Sequence, residues 1–159
     1  MIDQKATRQL MLVRYYLTLA DAQQRVGSDP AHFTAINLLH EALEATLIAC
    51  SDHLNLDVSE KSTIENYLNK IDQSLDGVNT PYRTRILQFN RARVSAKHAL
   101  TLPSSGDFES FALNVPEFIR SVILLVFGIE LSSVYLFNNV SDDESKKYLI
   151  ESHEYFSHG

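Results

Sequence analysis

The sequence predicts an all-α fold, a single domain built as an antiparallel bundle of five or six helices with short loops. Apolar residues recur at intervals of three and four along most of the 159-residue chain, which is the spacing of one helix face. The chain contains only 5 Gly and 4 Pro, and most of them fall between the periodic segments. No segment alternates as a strand does, except residues 133–140, which we interpret as a connector.

Two long helices are predicted in the first third of the chain. The first covers residues 4–25, and its apolar positions are Leu10, Val13, Leu17 and Ala20. Gly27 ends it, and the pair Asp29-Pro30 favours the start of the second helix. The second helix has the clearest apolar stripe, a core-facing band about 100° wide. The stripe consists of Ile36, Leu39, Leu43, Leu47, Cys50 and Leu54.

Four further helices follow. The third covers residues 62–75, with Ser62 as N-cap and Glu65 at the capping-box position. The fourth covers residues 82–100. The fifth covers residues 108–127 and is expected to break near Pro116, because proline removes a backbone donor. The last covers residues 141–156.

Composition limits the classes of function. The chain has 20 Asp+Glu against 14 Lys+Arg, a formal charge of -6, which argues against a protein that coats nucleic acid over its whole surface. The single cysteine excludes an intramolecular disulfide and a Cys-rich metal site. The N-terminus lacks the pattern of a signal peptide, and the longest apolar run is too short to span a bilayer. We therefore expect a cytoplasmic protein without membrane contact.

The fourth helix concentrates positive charge. No acidic residue lies between Asp76 and Asp107. Five of the 14 Lys+Arg residues fall there within a 15-residue run, namely Arg83, Arg85, Arg91, Arg93 and Lys97. His98 follows directly. An arginine that holds a phosphate and a histidine that transfers protons are sufficient for metal-free RNA cleavage.

Arg93 and Lys97 are predicted to project from the apolar side of the fourth helix. A cation there needs a carboxylate partner, a phosphate or a cleft open to water. The second helix offers Glu41 and Glu44 as carboxylate partners. Two interpretations therefore stay open: an internal ion pair that fixes helix register, and an arginine poised at a cleft.

Arg93 and His98 do not share one helix face, because five residues correspond to about 140° around the axis. A distorted helix end or a two-fold dimer, in which each chain supplies half of a cleft, would bring them together. His98 also has a purely structural interpretation, since a histidine near a helix C-terminus can cap the last carbonyls.

The segment LQFNRARVSAKH, residues 87–98, resembles the signature of HEPN-like domains, an arginine followed by four to six residues and then a histidine. The segment HEALE, residues 40–44, resembles the acidic early helix of that family. The resemblance covers a core of residues 34–127. It implies an all-helical bundle and, in many members, a metal-independent endoribonuclease that works as a dimer in toxin–antitoxin, CRISPR-linked or anti-phage systems.

The resemblance also implies roles for individual residues. Arg93 and His98 would be the catalytic pair, with Glu44, Glu41 and Asn90 as supporting residues. A ribose 2′-oxygen would attack its own phosphodiester and leave a 2′,3′-cyclic phosphate. Flanking phosphates would be bound by Arg83, Arg85, Arg91 and Lys97. The expected partners are a second copy of the chain, RNA, and an antitoxin or other partner protein, with no cofactor.

Two alternatives to this function stay open. Active HEPN-like domains usually place a polar residue directly after the arginine, whereas this chain has Val94. It is therefore also interpreted as a catalytically inactive HEPN-like module for dimerisation, RNA binding or partner binding. A helical domain for a small molecule or nucleotide is the second alternative. The pair His40-Glu41 with Glu44 is similar to a metal-binding helix, but no second histidine completes it, so no metal site is predicted.

Overall fold

The computed structural model describes residues 2–59, 61–76, 78–99, 101–135 and 142–157. Within these ranges the chain forms six α-helices and one short 3-10 helix, and no strand. The α-helices are α1 (Gln4–Val26), α2 (Asp29–His53), α3 (Ile64–Ser74), α4 (Arg83–Ala99), α5 (Ser105–Phe127) and α6 (Asp143–Ser157), and the 3-10 helix is Leu131–Ser133. The prediction of an all-α fold is confirmed.

Most predicted helix boundaries agree with the structure to within one or two residues. Position 100, the predicted end of the fourth helix, position 141, the predicted start of the last, and connector residues 136–140 lie outside the described residues. The N-cap predicted at Ser62 is wrong by one position. Thr63 caps α3 instead, because its hydroxyl accepts the N–H of Asn66 at 3.2 Å.

Helix α5 is continuous, so the predicted break near Pro116 is wrong. Buried side chains stand on both sides of the proline, including Val115 and Phe118. Their packing holds the helix together although one backbone hydrogen bond is lost. The helix also begins three residues earlier than predicted, because the Ser104 side chain accepts the N–H of Asp107 at 3.2 Å and caps the first turn.

Helix α2 occupies the centre of the fold and packs against α1, α3, α4 and α5. Five of its six predicted stripe residues are at most 1% exposed, and Leu54 is half-buried. Aromatic side chains from α4 and α5 close the core beside it, with Phe89 and Phe111 edge to face at 5.5 Å between ring centroids. The core therefore fixes the rotation of α2 about its own axis.

Cys50 lies within this core and is fully buried. Burial raises the pKa of the Cys50 thiol to about 12, because the thiolate loses its hydration there. The cysteine therefore behaves as a small apolar side chain.

Helices α2 and α5 are each long and apolar enough to span a membrane by length and composition. Both also contribute buried residues to the shared core. The core helices of soluble proteins meet the same criterion of length and composition, so it does not separate the two environments.

The start of α4 is fixed by Asp72 on α3. One carboxylate oxygen of Asp72 accepts the backbone N–H of Thr80 at 2.7 Å. The other pairs with Arg83 at 2.8 Å. Arg83 also donates to the side chain of Asn69. These charge-assisted bonds tie the loop between the two helices, and with it the direction of α4, to α3.

We expect Leu43→Ala to lower the free energy of unfolding by about 2–5 kcal/mol, because it removes a fully buried side chain from the centre of the core. Urea denaturation followed by circular dichroism measures the loss. Leu113→Ala is the matched control, since Leu113 is 70% exposed on α5, and it should change stability by at most about 0.5 kcal/mol. Equal losses in the two variants would contradict the assignment of the core.

Candidate functional site

The basic residues of α4 differ in their surroundings. Arg83 is held by Asp72 and Asn69, as described above. Arg85 is exposed and donates to Gln88 at 3.1 Å. The side chains of Arg91, Lys97 and His98 are exposed, whereas Arg93 is half-buried. The prediction that Lys97 projects into the apolar side is therefore wrong, and Arg93 alone of that pair turns inward.

Five side chains gather where α2 packs against α4, and we call them the α2–α4 polar cluster. They are His40, Glu41, Glu44, Asn90 and Arg93. His40 is the buried member, only 3% exposed, and its ring lies 6.3 Å from the ring of Phe89. The predicted supporting residues Glu41, Glu44 and Asn90 are thus brought together with Arg93 around a histidine that was not among the predicted site residues.

The hydrogen bond to Asn90 sets the tautomer of His40. The ring nitrogen Nε2 lies 3.1 Å from the side-chain oxygen of Asn90. An amide oxygen only accepts, so Nε2 carries the proton and donates it. In the neutral ring the other nitrogen, Nδ1, then presents a lone pair. It lies 3.4 Å from Glu44 Oε2 and, among the described residues, has no hydrogen-bond partner.

The pKa of His40 is lowered from its ordinary value of 6.5. Burial is the main cause, because it penalises the charged imidazolium. The charge of Glu44 acts in the opposite direction, and the charge of Arg93 lowers the pKa further. The hydrogen bond that His40 donates to Asn90 and the charge of Glu41 oppose the shift without cancelling it. The ring is therefore neutral at pH 7.

Arg93 faces this cluster without an ion pair to any carboxylate that the structure describes. The internal pair with Glu41 or Glu44, one of the two interpretations of the sequence, is not formed. Its Nε atom is buried and has no hydrogen-bond partner among the described residues. A buried donor without a partner costs about 1–3 kcal/mol, so this guanidinium is suited to bind an added acceptor such as a phosphate oxygen.

The predicted catalytic pair is not united within one chain. Helix α4 stays regular through Ala99, so Arg93 and His98 point about 140° apart around its axis. Arg93 turns toward α2, whereas His98 is exposed near the end of the helix. Val94, the residue after the motif arginine, is 43% exposed.

His40 is the site residue that the sequence reasoning missed, since the sequence offered it only as part of an incomplete metal-binding helix. One signal was present in the sequence. His40 directly follows the stripe residue Leu39 and lies four positions before Glu44. A polar residue beside a core stripe is half inside the protein, and buried polar groups require partners. Its partner Asn90 lies 50 residues away, which periodicity does not detect.

Comparison with known proteins found no match among protein-family models, curated proteins or solved structures. The assignment of the α2–α4 polar cluster as a candidate site therefore depends only on its geometry in this structure. The resemblance to HEPN-like domains rests on the two short segments quoted above.

We expect the neutral His40 to make stability depend on pH. Below pH 6.5, the ordinary value, the unfolded chain takes up a proton on His40 that the folded chain resists. The free energy of unfolding therefore falls as the pH is lowered, by up to about 1.4 kcal/mol per pH unit for one proton. Chemical denaturation between pH 7.5 and pH 5 at about 0.1 M salt measures this slope.

In the His40→Gln variant, the contribution of His40 to the pH dependence of the free energy of unfolding should disappear, because glutamine does not titrate. The matched control is Gln88→Ala, which changes an exposed side chain of α4 that does not titrate and should keep the wild-type pH dependence. If His40→Gln and the wild type show the same slope, the buried neutral state of His40 is wrong.

Proposed function

We propose that this protein is a HEPN-like, metal-independent endoribonuclease that acts as a homodimer in the cytoplasm, within a bacterial defence or toxin–antitoxin system. The observation that supports it most is the guanidinium of Arg93, half-buried, with an unpartnered Nε and no ion pair among the described residues. The exposed cations of the same helix, Arg85, Arg91 and Lys97, provide local positive charge on an otherwise acidic chain. Such charge would attract an RNA backbone to this helix.

In the proposed reaction a ribose 2′-oxygen attacks the adjacent phosphorus, and the bond to the 5′-oxygen breaks. The products are a 2′,3′-cyclic phosphate and a free 5′-hydroxyl. Arg93 stabilises the charge that grows on the non-bridging oxygens, as a fixed bidentate donor does. His98 transfers a proton, either from the 2′-hydroxyl or to the leaving 5′-oxygen. Glu41, Glu44 and Asn90 support Arg93 through the cluster around His40.

The basic residues of α4 would not contribute equally to RNA binding. Arg83 already contacts Asp72 and Asn69, so its guanidinium is less free to meet a phosphate. Arg85 has only a neutral partner, Gln88. Phosphate contacts by Arg85, Arg91 and Lys97 would give affinity that falls as salt rises, without sequence selectivity.

The directions of the two proposed catalytic side chains support a dimer. Because Arg93 and His98 are about 140° apart on a regular helix, one chain does not aim both at the same phosphate. A two-fold axis beside α4 would place Arg93 of one protomer next to His98 of its partner. Two equivalent composite sites would then lie across the axis.

A catalytically inactive HEPN-like module for dimerisation, RNA binding or partner binding is the second candidate. Val94 favours it, because this exposed apolar side chain stands where active members of the family carry a polar residue. In that case α4 would serve as a contact surface for a second copy or for an antitoxin-like partner protein, and the cluster around His40 would serve the packing of α4 on α2.

The first test is cleavage of total RNA and tRNA by the purified protein in EDTA. We expect the wild type to cut and to leave 2′,3′-cyclic phosphate ends. Arg93→Ala and His98→Ala should each cut at least about 100-fold more slowly, because each removes a group that acts in the transition state. Arg8→Ala is the matched control, an exposed arginine on α1, and should cut as the wild type does. No cutting, or equal cutting by all four proteins, would support the inactive module.

A second test distinguishes a composite site from a site within one chain. Arg93→Ala and His98→Ala are mixed at equal concentration, unfolded together and refolded. Half of the resulting dimers are mixed, and each mixed dimer holds one complete composite site, so activity should return to about a quarter of the wild-type value. Each variant refolded alone is the control. Without recovery in the mixture, Arg93 and His98 do not act across a two-fold axis.

A further inference from the structure

Three potential metal ligands lie together on one side of α2, at positions 40, 41 and 44. The ligand atoms of His40, Glu41 and Glu44 all lie within 4.8 Å of one another. They combine one imidazole nitrogen with two carboxylate oxygens, a donor set that borderline divalent cations such as Zn²⁺ accept. His40 is buried and both glutamates reach the surface, so the group forms the floor and rim of a potential site.

One contact in this group joins two acceptors. With its proton on Nε2, His40 directs the Nδ1 lone pair toward Glu44 Oε2 at 3.4 Å. No described donor lies between them or reaches Nδ1 from another direction. Two acceptors that face each other at this distance repel, and a buried nitrogen without a partner is costly. A cation between the two atoms would remove both costs.

The distance between the two atoms also fits a shared ion. Zinc bonds imidazole nitrogen at about 2.0–2.1 Å and carboxylate oxygen at about 2.0–2.2 Å, so two such ligands at the tetrahedral angle are about 3.4 Å apart. The observed separation of Nδ1 and Oε2 is 3.4 Å. Glu41 is exposed and free to swing its carboxylate toward the same point, which leaves the fourth position to water.

Asn90 gives His40 the support that metal-ligating histidines normally have. Such a histidine donates its other ring N–H to a fixed acceptor, which sets the tautomer and the orientation of the ring. The 3.1 Å contact between His40 Nε2 and the Asn90 oxygen has this form. Asn90 on α4 thus orients the imidazole ring so that Nδ1 faces the site, while α2 provides all three ligands.

Charge and access are compatible with a divalent cation. The two glutamates carry more negative charge than the nearby Arg93 offsets, so the position has a net attraction for a cation. The side chain of Glu44 is 48% exposed and lines a groove of about 200 Å³ between α2 and the start of α3. Ser62 and Tyr67 form part of the other wall of this groove. An ion therefore reaches Glu44 from solvent without opening the core.

We propose that His40 Nδ1, Glu44 and Glu41 bind one zinc-type divalent cation on α2, with Asn90 orienting the imidazole. The cation would stabilise the fold by mass action. This site does not depend on RNA cleavage, and the reaction proposed above uses no metal ion.

The test is isothermal titration calorimetry of Zn²⁺ into untagged full-length protein that has been stripped with EDTA and dialysed. We expect one saturable site per chain in the wild type. Glu44→Gln should weaken this binding at least about tenfold, because it removes one charged ligand and leaves the half-exposed surface otherwise unchanged. Glu117→Gln is the matched control, a glutamate paired with Arg120 on the surface of α5, and should bind as the wild type does.

Imidazole ¹⁵N spectra provide a second readout that does not depend on affinity. Zinc should shift the Nδ1 resonance of His40 and leave its Nε2 protonated, since Nε2 donates that proton to the Asn90 oxygen. Absence of saturable binding, binding that Glu44→Gln leaves unchanged, or a shift at a different histidine would each overturn the proposed site. Cleavage of RNA in EDTA tests the nuclease proposal separately, so the two proposals succeed or fail independently.

Discussion

The rotation of α2 about its own axis determines the rest of the structure. Four other helices pack against α2, and its apolar stripe is locked into the core that they share. His40 directly follows the buried Leu39, and Glu44 directly follows the buried Leu43. These polar side chains therefore stand at the edge of the core because the stripe places them there. The geometry of the cluster is a consequence of core packing, and no loop has to position it.

Contact between α2 and α4 brings two different sets of polar side chains together at this edge of the core. From α2 come an imidazole and two carboxylates, and from α4 come an amide and a guanidinium. The amide of Asn90 is the neutral member that meets His40 directly and keeps the ring in one orientation. Arg93 stays close enough to lower the pKa of His40, yet forms no ion pair with the carboxylates among the described residues. An arginine in this state remains able to bind an anion, which an arginine in a buried ion pair does not.

Periodicity in the sequence was sufficient for the six helices and for the core face of α2, since both depend on residues that are close in the chain. It failed where two signals compete locally. Ser62 and Thr63 are both good N-caps, and only the backbone geometry selects Thr63. Pro116 predicts a break, but packing on both sides of it outweighs one lost hydrogen bond. The cluster was found in part, because Arg93, Asn90 and the glutamates are recognisable by type. His40 was missed, because its hydrogen-bond partner Asn90 lies on another helix, 50 residues away.

The buried thiol of Cys50 can be used to measure how often the helices around α2 separate. With its pKa at about 12 and no accessible surface, Cys50 is protected from alkylating reagents while the bundle is closed. Modification then requires the helices around α2 to separate, so the labelling rate reports the population or the rate of the open state. The same protection keeps the thiol from oxidation in air. No substitution or attached dye is needed for such a measurement, because the chain contains only 1 cysteine.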